Sequence, residues 1–122
     1  MYLHDREVGF LRTVGAVSEI AKVCPKEDIG KFGEVLKSNS TVTVNETWMV
    51  FVCALSKGYE QSKRFFDKTY EMNPVTPEEI SIIDEETFGM LVAEATRAWL
   101  GDVQTVEVEE PKKKEKISET SD

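Results

Sequence analysis

Histidine is nearly absent from this chain of 122 residues, which holds one, and cysteine is scarce, with two. That scarcity removes most routes to a metal centre or a nucleophile–base pair. His4 lies beside the N-terminus, where the sequence supplies nothing to orient it as a general base, so it reads as a solvated side chain. Cys24 and Cys53 show no CxxC spacing and have no histidine near them; both fall in apolar helical patterns and read as reduced, buried small hydrophobes. GxSxG, HExxH, P-loop and dinucleotide-binding motifs are all missing. No catalytic, cofactor-binding or metal-binding residue is assigned, and the chain reads as a non-enzyme.

Long apolar runs are missing too. The longest, Trp48 to Leu55, is far too short to span a bilayer, and residues 1–12 carry His4, Asp5, Arg6, Glu7 and Arg12 in place of a secretory apolar region. With reduced thiols, this makes a cytoplasm the expected compartment. Nor is there an excess of positive charge. The net charge is −8; seven acids and four lysines lie in 102–122, which leaves −5 on residues 1–101. An acidic body excludes sequence-independent nucleic-acid binding, which needs Lys and Arg to neutralise phosphate, and docking on anionic lipid.

What is there is helical periodicity. Residues 2–12 are ambiguous, with a short strand or a hairpin turning at His4–Asp5 as the reading. Thr13 is an N-cap, followed at helical spacing by Val14, Val17, Ile20, Ala21 and Cys24. Pro25 stops that helix and opens a second, whose stripe is Ile29, Phe32, Val35 and Leu36; Gly30 and Gly33 there serve close helix approach rather than phosphate binding. Thr43 and Glu46 have capping-box spacing, which predicts a third helix over about 44–66. Trp48, Phe51, Leu55, Tyr59, Ser62 and Phe66 form its stripe, broadened by Met49, Val50, Val52 and Cys53, with Glu60, Lys63 and Arg64 outside. A segment apolar nearly all round for two turns is normally the central helix of a bundle. Thr76-Pro77-Glu78-Glu79 starts a short helix to about Ile83, and Asp84 caps the last one, with Phe88, Leu91, Val92, Ala95 and Trp99 inward and Gly101 as its stop. The acidic runs at 78–79 and 84–86 sit at helix N-termini, where capping and the helix dipole account for them.

The expected fold is therefore mostly α: a single-domain bundle of four or five helices over 1–101, with an optional N-terminal β-hairpin, and a charged, disordered tail over 102–122. Trp48 and Trp99 are core residues first. The connector after the third helix gathers Phe65, Phe66, Tyr70 and Met72 in an irregular segment, and these are the candidate partner-binding residues, because aromatics and Met are enriched where one protein grips another.

The run Thr13 to Ala21, closing on Val23-Cys24-Pro25, resembles the small tail-assembly chaperones of long-tailed phages and prophages of Gram-positive bacteria. So do Leu55-Ser56-Lys57-Gly58-Tyr59-Glu60, Thr76-Pro77-Glu78-Glu79, Phe88, Trp99-Leu100-Gly101-Asp102 and the acidic tail with its Lys112–Lys114 run. The resemblance implies a helical, non-enzymatic cytoplasmic protein, absent from the finished virion, that coats the tape-measure protein and recruits tail-tube subunits, with self-association as an option. It also implies that the codons of Lys112–Lys114 form a slippery run at which some ribosomes shift frame and make a longer form. It brings no position-specific functional residue. The alternative from a different class is a small helical adaptor or regulatory module of a bacterial or mobile-element operon.

Overall fold

Thr41–Phe66 (α3), 26 residues long, is the axis of the structure, a computed structural model that describes residues 1–101. Before it come a two-strand antiparallel hairpin, Tyr2–Leu3 (β1) and Arg6–Glu7 (β2), the helix Val14–Ala21 (α1), two 3-10 turns at Pro25–Glu27 and Ile29–Lys31, and the short helix Phe32–Val35 (α2). After it come Pro77–Ile80 (α4) and Glu85–Trp99 (α5). The mostly helical bundle expected from the sequence is what forms, with α1 and α5 packed on α3. The expectation of a disordered tail concerns residues 102–122 and lies outside the described residues.

The hairpin does turn at His4–Asp5, pairing Tyr2 with Glu7 and Leu3 with Arg6, and His4 takes a left-handed backbone (φ 58°) to close it. It belongs to the core: Leu3 and Val8 are buried beside Ile20, Phe51, Val52, Leu55, Leu91 and Ala95. Beyond it, residues 8–12 run across α3, and the Leu11 N–H donates to the Leu55 carbonyl at 3.0 Å. Four rings, Phe32, Trp48, Phe51 and Trp99, cluster at one end of the core, with Trp48 edge-on to Phe51 at 5.3 Å. Arg12 lies 3.9 Å over the Trp99 ring.

Three N-caps stand where expected: Thr13 accepts from Ala16 N, Thr76 from Glu79 N and Asp84 from Thr87 N. Gly101 ends α5 at φ 74°. Other expectations are corrected. Helix α3 starts three residues early, because Ser40, not Thr43, is its N-cap, accepting from Thr43 N at 3.1 Å. Pro25 does not open a continuous helix. Lys26 and Glu27 are left-handed, Asp28 accepts from Gly30 N to begin a new turn, and α-helix appears only at Phe32. Glycines at 30 and 33 weaken any helix through this stretch. Helix α4 stops at Ile80 rather than Ile83. Val14, placed on the α1 stripe, is 87% exposed at the first turn, outside the reach of the core.

Candidate functional site

The connector from Asp67 to Thr76 folds back along α3, and its free donors need acceptors there. Glu60, expected to face solvent, is 4% exposed and supplies them: its Oε1 accepts from the Tyr70 hydroxyl at 2.7 Å and from the Asn73 N–H at 2.8 Å. Ser56 Oγ, one turn back, accepts from the Val75 N–H at 2.8 Å. The Glu60 carboxylate pushes the Tyr70 phenol up to about 12. The hairpin clamps the far end. Arg6 donates to both oxygens of Glu79, at 2.9 Å to Oε1, and His4 Nδ1 lies 3.2 Å from Oε2. His4 therefore has an orienting partner, contrary to expectation. The Arg6 hydrogen bond holds the Glu79 carboxyl below its usual 4.5.

These anchors divide the four candidate partner-binding residues. Tyr70 is half-buried and tied to Glu60, so it belongs to the fold. Phe65 and Phe66 are 67% and 82% exposed and meet edge to face, ring centroids 5.1 Å apart. Phe66, expected to continue the α3 core stripe, leaves it because the core ends near Glu60 and the chain turns away at Asp67. Met72 is exposed on the connector. Lys68 Nζ lies 4.9 Å from the Phe65 ring centroid, while Lys63 Nζ lies 4.6 Å from that of Tyr70.

A second apolar surface was not legible in the sequence. Helix α3 is apolar nearly all round, and most of its middle is buried, including Thr47, Phe51, Val52, Ala54, Leu55 and Ser56. A half-buried strip, Met49, Val50 and Cys53, floors an open groove of about 660 Å³ between α1 and the Pro74–Pro77 segment. Its volume lies in the range of sites that take a ligand or an anchor side chain. Glu19 and Lys57 bridge one edge at 2.8 Å, while Glu46 lies on the lining with no ion-pair partner among the described residues. Cys53 is unpaired, and burial first, then Glu78, Glu79 and Glu19, pushes its thiol up to about 12.

Among the described residues, no helix is long and apolar enough to cross a membrane, and no group of three His, Cys, Asp or Glu could hold a metal ion. No protein-family model, curated protein or solved structure matches the chain.

Proposed function

We propose that this protein is a tail-assembly chaperone of a long-tailed phage or prophage. It binds the tape-measure protein in the host cytoplasm, helps recruit tail-tube subunits, acts by contact rather than turnover, and is left out of the finished virion. The observation that carries the reading is the groove on α3. A tape-measure protein is a long helical polymer whose apolar stripe must be kept from aggregating before the tube encloses it. A groove floored by Met49, Val50 and Cys53 fits an apolar helix face laid along it. The net charge of −8 keeps the chaperone soluble while it does so.

Co-expression tests this. The tape-measure protein of the same operon should move from the insoluble to the soluble fraction when this chain is present, and should co-purify with it. If it stays equally insoluble with and without this chain, the chaperone reading fails and a helical adaptor for another protein takes its place.

A further inference from the structure

Another hollow lies apart from the groove, where the hairpin meets the start of α5. Tyr2 on β1, Ile82 between α4 and α5, and Met90 on α5 are 68%, 77% and 51% exposed, and all three line one opening of about 480 Å³ together with Leu3 and Ile83. Helical periodicity does not explain this meeting, since the three side chains come from three different elements. A monomer exposes a shared apolar surface chiefly where something binds it, and Tyr and Met are enriched at such places.

The free charge around this hollow has one sign. Asp5 on the hairpin turn and Asp84, Glu85 and Glu86 at the start of α5 are all exposed, and Asp84 lines the opening. Among the described residues no lysine or arginine lines it. The cations of the hairpin are already partnered: Arg6 by Glu79, with His4 against the same carboxylate, and the Met1 ammonium by Glu7 at 3.9 Å. An acidic rim repels phosphate, which rules out nucleic acid and anionic lipid as the occupant. The same rim attracts Lys and Arg.

We propose that this hollow docks a basic amphipathic helix of a second protein, with an apolar anchor seated among Tyr2, Ile82 and Met90 and its flanking Lys or Arg meeting Asp84 and the neighbouring acids. A helix supplies both parts at once, because residues three and four apart share a face. The volume suits one or two large anchor side chains. This hollow shares no lining residue with the groove on α3, so a partner here and a chain in the groove bind together rather than in competition. The docking does not rest on the chaperone reading and is measured with no tape-measure protein present.

NMR of the isotope-labelled full chain tests it with two synthetic peptides of about 18 residues, long enough to form a helix. Both carry a Leu and Phe stripe; the other face holds Lys and Arg in one and Glu in its twin. The basic peptide should shift the amides of Tyr2, Ile82 and Met90, with an affinity that falls as salt is raised, and the Glu twin should leave them in place. Ile82→Asp and Met90→Asp change exposed side chains, and each should weaken binding of the basic peptide by about tenfold or more. Circular dichroism checks that both variants keep their helices. Val50→Asp, in the groove, should leave the shifts at Tyr2, Ile82 and Met90 as in wild type. The proposal is overturned if the basic peptide moves none of these amides or moves only those of the groove. It is equally overturned if the Glu twin moves them as much, or if both folded variants bind as wild type does. Movement of the same amides when the chain is concentrated alone would give the surface to a second copy and overturn it too.

Discussion

Gly58 admits no side chain. A Cβ there would stand 2.8 Å from both the Leu11 carbonyl oxygen and Thr13 Oγ1, because residues 8–13 cross α3 at that point. Gly58→Ala should lower stability by about 2 kcal/mol despite Ala's better helix propensity, since backbone must move to accommodate it. Urea unfolding reads the loss, and an unchanged midpoint would contradict the crossing. Glu60 and Phe66 make the opposite pair. Tyr70→Phe removes a hydrogen bond to a buried carboxylate and should cost about 2 kcal/mol. Phe66→Ala, at an exposed ring, should stay within about 0.5 kcal/mol of wild type. At this scale the sequence misleads in both directions. Glu60 looks like a solvated helix face and Phe66 like core, because helical spacing places them at 60 and 66 without showing where the core ends or that the connector turns back. The hexapeptide Leu55–Glu60, singled out by resemblance, has four structural roles here: Ser56 and Glu60 pin the connector, Gly58 lets the chain cross, and the Tyr59 ring lies against Gly9.

The elements were most legible where their signals are local. Thr13, Thr76, Asp84 and Gly101 each act on groups within three residues, so the sequence pattern contains the whole interaction. Pro25 was misread because the decision there rests on left-handed Lys26 and Glu27, which no propensity favours. The hairpin's docking could not be read at all, since Arg6 and Glu79 lie 73 residues apart. That docking has a pH signature. Glu79's folded value is lowered, so its ion pair contributes fully above the usual carboxylate value of 4.5 and is lost as pH falls through the folded value. Stability should therefore drop below about pH 4.5, and Glu79→Gln should cost about 2 kcal/mol at neutral pH while flattening that acid limb. Urea midpoints taken at neutral and acid pH check this; an equally steep acid limb in the variant would place the effect elsewhere. Asp67 and Asp84, whose carboxyls are also lowered, by hydrogen bonds from Thr69 and Thr87, contribute to the acid limb that remains.

For the whole molecule, the all-round apolar character of α3 was read correctly as that of a central helix, but the fold supplies neighbours for only part of it. The half-buried strip at Met49, Val50 and Cys53 and the exposed rings of Phe65 and Phe66 are apolar parts of α3 that the bundle leaves open. This is why periodicity alone could find the helix and not the site. The proposed chaperone reading has a helical client cover this strip of α3. The most direct measurement is a titration of a soluble helical segment of the tape-measure protein into purified wild type, Val50→Asp and Phe66→Asp. The account predicts that Val50→Asp loses affinity by at least about tenfold while remaining folded. Phe66→Asp, which changes no groove residue, should bind as wild type does. Binding by folded Val50→Asp equal to that of wild type would contradict the assignment of the groove as the client's site.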